Sequence, residues 1–124
     1  MLSSFGEELG LDRGLAFGVA GAFGGGMARM GETCGAVTGA LMVIGLKYGM
    51  TKAKDEAARD KTYKLAQELV TSFKARHNSM VCRELLGYDL SSPEGRKAAH
   101  DKGLFDTLCP HLVRDAVEIL EQIL

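Results

Sequence analysis

Apolar residues along this chain recur at helical spacing, and no segment alternates convincingly with period two. A short amphipathic piece, Leu2-Phe5-Leu9, stops at Gly10, and a glycine-rich segment follows from about residue 12 to 28. Thr33 reads as the N-cap of an apolar helix that carries Cys34 and ends near Lys47 and Gly49. Thr51 then caps the longest helix, roughly 52 to 76, whose stripe Ala58, Leu65, Ala66, Leu69, Val70 and Phe73 keeps the 3.6-residue period. Asn78 and Ser79 precede a brief helix, Met80 to Leu86, closed by Gly87. In the run SSPEG, Ser92 is the N-cap and Pro93 the first helical residue of a helix that stops near Gly103. The last helix is expected to begin at CPH with Pro110 at its first position. Its core face would be Leu112, Val113, Ala116, Val117, Leu120 and Ile123. The pattern predicts an all-α, single-domain bundle of about five to six helices over residues 1–124, with glycine-rich, close-packed helices.

Composition narrows the function classes. At 124 residues the chain is one domain's worth, long enough to bury roughly two-thirds of its unfolded surface. A net charge of -1 gives no electrostatic footprint for nucleic acid or an anionic membrane. The N-terminus carries Glu7, Glu8 and Asp12 where an export signal would be basic. The apolar run from Ala36 to Leu46 is shorter than the ~20 residues a membrane span needs. Three cysteines without a close pair do not form a secreted disulfide framework, so reduced thiols in the cytoplasm are expected.

The glycines call for a reason, since each costs a helix interior about 1 kcal/mol relative to alanine. Gly14, Gly18, Gly21 and Gly25 fall at i, i+4, i+7 and i+11, and Gly35 and Gly39 repeat the spacing. Such a face lets helix backbones approach closely or leaves room for a bound group. GVAGAFGGG has no strand before it and no following Lys-Ser or Lys-Thr, so it fits neither the dinucleotide fingerprint nor the P-loop.

The cysteines are the candidate chemistry. Cys34, Cys82 and Cys109 are too widely spaced for a CxxC motif or a zinc ribbon. All three fall at expected helix starts, where free amides and the helix dipole stabilise a thiolate. Cys34, next to Gly35, is expected to be the most thiolate-like, titrating below the free value of about 8.5. His111 is a further candidate ligand or base beside Cys109. His77 reads as a partner of a helix C-terminus, and His100 as an exposed residue on a charged helix.

Taken in order, GETCGAVTGALMVIGLKYG, CRELLGYDLSSPEG and CPHLVRDAVEILEQIL resemble the C-GCAxxG-C-C family. The likeness runs over nearly the whole chain. Members are known mostly by their cysteines, described as redox-active or metal-binding. The resemblance implies that Cys34, Cys82 and Cys109 are the functional residues. The chain departs from the motif in reading Cys34-Gly35-Ala36-Val37-Thr38-Gly39, with the second glycine one position further on. The resemblance also implies a further cysteine upstream of LSSFGEELGLD, and residues 1–5, inside an amphipathic pattern with no cap before it, read as a helix cut short.

Three functions stand open from these readings. The first is a metal or iron-sulfur site held by Cys34, Cys82, Cys109 and His111, with Gly35 and Gly39 leaving room for the group. With three sulfurs that site is open, and little or no metal is expected in this form. The second is a thiol-disulfide oxidoreductase cycling between two of the cysteines. The third is a helical interaction module with structural cysteines. A homodimer is expected, with an unidentified redox partner.

Overall fold

The computed structural model describes residues 1–124 and contains seven helices and no strand. In order they are α1 Leu2–Glu8, α2 Arg13–Ala20, α3 Gly35–Tyr48, α4 Glu56–His77, α5 Cys82–Leu86, α6 Pro93–Asp101 and α7 Leu104–Ile123. The all-α expectation holds, with one more helix than the upper expected count. No helix is long and apolar enough to cross a membrane.

Three long helices, α3, α4 and α7, pack against one another and build the main core, and α1 lies against α3. Helix α3 is apolar on most sides because it sits between these partners; Ala36, Val37, Gly39, Ala40, Val43 and Ile44 are all buried. Leu69 and Phe73 meet them from α4, and Leu112, Ala116, Ile119 and Leu120 from α7. Each such large apolar side chain contributes roughly 1.5–3 kcal/mol by leaving water. A smaller second cluster holds Cys82, Leu86, Leu90 and Ala99, with Leu104, Leu108 and Cys109 against it. Leu108 touches both clusters.

Side-chain caps open three of the seven helices, at Asp12, Asp55 and Ser92. Ser92 Oγ accepts from the Gly95 N–H at 3.0 Å, with Pro93 in the first turn, as SSPEG predicts. Asp55, not Thr51, caps α4: its Oδ1 accepts from the Ala58 N–H at 3.2 Å, so the helix starts later than expected. Cys34 itself, not Thr33, is the N-cap residue of α3. Val81 occupies that place on α5, which begins at Cys82 and not at Met80.

The largest correction is in α7. Pro110 does not open this helix but lies inside it, with Leu104 to Cys109 already helical ahead of it. Proline removes a backbone donor and crowds the preceding turn. Here it is exposed, and Gly103 in left-handed conformation (φ 70°) restarts the chain after α6. The Thr107 hydroxyl, donating to the Gly103 carbonyl at 2.9 Å, ties down the new first turn. Of the face expected in α7, Leu112, Ala116 and Leu120 are buried with Ile119, while Val113 is 37% exposed.

The glycine stripe also departs from expectation. Gly14 and Gly18 face solvent on α2, Gly21 is its C-cap residue, and Gly25 lies beyond it in a turn. At Gly39 a Cβ would meet the Met1 side chain at 3.6 Å, an ordinary contact, so no close approach requires glycine there.

Candidate functional site: a three-thiol pocket

The segment after α2 determines where the cysteines meet. Gly25, Gly26, Met27, Ala28 and Arg29 are consecutive residues with positive φ, a left-handed run that costs L residues roughly 1–2 kcal/mol each. This turn is held by long-reach hydrogen bonds, from Gly31 N–H to the Gly25 carbonyl (3.2 Å) and from Glu32 N–H to that of Gly26 (2.9 Å). It delivers residues 32–34 alongside residues 80–82.

There Thr33 and Val81 form an isolated antiparallel bridge. The Cys34 N–H donates to the Met80 carbonyl at 2.8 Å, and the Cys82 N–H to the Glu32 carbonyl at 2.6 Å. Side chains alternate along extended backbone, so Cys34 and Cys82 emerge on the same side, opposite to Thr33 and Val81. Both helix starts, of α3 and of α5, are thereby set side by side. Arg83 reinforces the arrangement, with its guanidinium 3.2 Å from the Gly31 carbonyl and 3.1 Å from Glu32 Oε1.

Cys109 approaches from mid-α7. All three cysteines line a single cavity of about 310 Å³, whose wall includes Gly35, Leu86, Leu90 and Phe105 and no charged side chain. Cys82 is 7% exposed, and Cys34 and Cys109 are partly buried. All three are free thiols. The expected convergence of the three residues is present, although Cys109 is not at a helix start.

The electrostatics reverse the sequence expectation. Burial pushes the Cys34 thiol up, outweighing the N–H groups of Ala36 and Val37, which favour its thiolate. Burial, then the charges of Cys34 and Cys109, push Cys82 up to about 11. Burial and then Cys34 raise Cys109 likewise. The amides at the start of α3 act in the expected direction, but an apolar wall costs a thiolate more than they return. No thiol is therefore expected to titrate below the free value.

His111 is not part of this pocket. It is an exposed α7 residue, 3.5 Å from Asp115, with its ring 6.0 Å from that of His77. Asp115 is the centre of a separate network: His77 Nε2 lies 2.8 Å from its Oδ2 and Arg76 3.6 Å from its Oδ1. His77 thus ends α4 as predicted and also staples it to α7. His100 is exposed, as expected. Of the two candidate glycines, Gly35 lines the thiol pocket, whereas Gly39 lines a different one beside Met1 and Met42.

No group of three or more Cys, His, Asp or Glu side chains stands close enough to hold a metal ion. The three sulfurs share a cavity without forming a ready ligand set. Sequence reasoning missed the cavity's other wall. Gly25 and Gly26 belong to it, and the Gly24-Gly25-Gly26 run was the available signal for a left-handed turn.

Across residues 1–123 the chain matches the family described as "Putative redox-active protein (C_GCAxxG_C_C)". No curated protein and no solved structure gives a significant match. With the match spanning nearly every residue and the three cysteines gathered in one pocket, the chain belongs to this C-GCAxxG-C-C redox family.

Proposed function

We propose that the three-thiol pocket is a thiol-disulfide redox centre in which Cys34 and Cys82 are the exchanging pair. The observation that carries this is the antiparallel bridge, which puts the two residues diagonally across from one another on one side. Such neighbours have Cα atoms about 7–8 Å apart, just beyond the roughly 7 Å within which a disulfide closes without backbone movement. A small inward movement of either segment would close the bond.

The exchange balances with a disulfide substrate. One cysteine thiolate attacks a substrate sulfur and releases one substrate thiol, leaving a mixed disulfide. The second cysteine then displaces the other substrate thiol and closes the protein disulfide. Two protein thiols are oxidised and one substrate disulfide is reduced to two thiols. Burial first, then the charges of Cys34 and Cys109 in the same cavity, raises the proton affinity of Cys82.

A second reading keeps the same sulfurs as ligands of an iron-sulfur cluster or other metal. Their mutual charge repulsion favours it, because a cation would relieve it. In the present arrangement the residues do not form that ligand set, and the disulfide reading leads. A homodimer in the cytoplasm completes the proposal. Helix α2 supports the dimer, since it buries only Ala16 and leaves Leu15, Phe17 and Val19 at 61%, 61% and 58% exposure. The widely spaced cysteines fit a reducing compartment.

Thiol titration across a series of redox buffers, with metal and labile-sulfide analysis of anaerobically purified protein, tests the proposal. The expected result is a reversible two-electron transition without metal or sulfide. Stoichiometric iron and sulfide would replace it with the cluster reading, and thiols inert in every buffer would refute both.

A further inference from the structure

Beside the thiol pocket lies a larger cleft of about 780 Å³, open to solvent. Arg29, Arg96, Lys97 and His100 line it, and no carboxylate does. This is a local concentration of positive charge on a chain whose net charge is -1. The side chains of Arg29 and Lys97 take part in no ion pair or hydrogen bond within the chain, and the Arg96 guanidinium donates to the Leu90 carbonyl at 3.0 Å. His100 has one acidic neighbour, Asp101 at 3.7 Å.

The opposite wall is the left-handed turn. Gly24, Gly25 and Ala28 line the cleft, and their backbone N–H groups donate no hydrogen bond within the chain. Successive amides in a turn of this kind form concavities that suit anions. The run of non-glycine residues at positive φ carries a conformational cost, and such costs concentrate at functional sites.

The cleft is also joined to the thiols. Gly25, Leu90 and Phe105 line both cavities, so the cleft and the thiol pocket adjoin across a shared wall. We infer that the cleft binds the anionic end of the redox substrate, a small disulfide bearing carboxylate or phosphate groups whose sulfurs enter the thiol pocket. This rests on the thiol-disulfide reading above and adds the substrate's charge to it. The cations supply attraction and the glycine amides supply directed donors. The neutral thiol pocket then receives the uncharged disulfide bond.

The test compares three small disulfides of similar length as oxidants of the reduced protein at low ionic strength. They are dithiodiglycolate, hydroxyethyl disulfide and cystamine, with negative, zero and positive charge. Rates are normalised to the neutral compound. The dianion is expected to react about tenfold faster than the dication, within the range electrostatic steering provides. That ratio is expected to fall towards one in the Arg29→Gln, Lys97→Gln double variant and in high salt. Thiodiglycolate, the unreactive thioether, provides a binding readout by calorimetry. Its binding to the wild type and not to the double variant, with all three disulfides inert, would retain the anion cleft and remove the redox reading. Equal rates for the three disulfides, or thiodiglycolate binding the double variant as well as the wild type, would overturn the inference.

Discussion

Gly26 lies against Cys82 so closely that a Cβ on Gly26 would stand 2.6 Å from the Cβ of Cys82. The same atom would meet the Glu32 N–H nitrogen at 2.8 Å, and Gly26 has φ +70°. The left-handed turn is therefore fitted to the thiol pocket, and only glycine closes the gap.

Gly26→Ala is expected to lower stability by about 2–4 kcal/mol, combining the left-handed penalty with overpacking. Gly87→Ala is the comparison, because Gly87 also has positive φ (74°) but has nothing within 4 Å. It should cost only about 1–2 kcal/mol. Urea unfolding of the two variants measures the difference, and equal losses would mean that the Gly26–Cys82 contact is not tight.

Thiol reactivity should rise steeply with pH. All three have raised pKa values, and Cys82 reaches about 11, so alkylation with iodoacetamide should stay slow at neutral pH and climb above pH 9. The same shift links to stability. The unfolded chain releases the Cys82 proton near the ordinary thiol value of 9.0, whereas the folded chain holds it to about 11. Stability from this group is therefore present below pH 9 and lost as pH rises from there towards 11. A thiol with an inflection below 8.5 would contradict this, and would restore the thiolate expected from helix-start position alone.

Asp115 is expected to matter for stability, and His111 much less. Asp115→Ala removes the partner of His77 and Arg76 and should cost roughly 1–3 kcal/mol. His111→Ala, at an exposed position, should stay within about 0.5 kcal/mol. If His111→Ala instead altered the redox behaviour of the cysteines, its exclusion from the pocket would be wrong.

The local rules of helix formation were readable where a cap and a period agreed. Ser92-Pro93, the Gly87 ending and the Leu69–Phe73 stripe all appear as predicted. Pro110 misled because proline at a first helical position is the common case, while here Gly103 supplies the break and Leu108 and Leu112 continue the buried face through the proline. For the site, the three candidate cysteines were legible, but the way Cys34 and Cys82 are set side by side was not. It depends on the Thr33–Val81 bridge, a contact between residues 48 positions apart in the chain that has no local periodicity. The thiol pKa directions were misread for a related reason. Amides at a helix start are visible in sequence, whereas the apolar wall of Leu86, Leu90 and Phe105 is assembled from distant segments.

Disulfide mapping tests the central claim most directly. The fully reduced protein is oxidised with a limiting amount of a small disulfide, trapped with acid, alkylated, and digested for mass spectrometry. An intramolecular Cys34–Cys82 disulfide with Cys109 alkylated is the predicted product. Thiols that all remain free, or cross-links only between separate chains, would contradict the proposed exchanging pair.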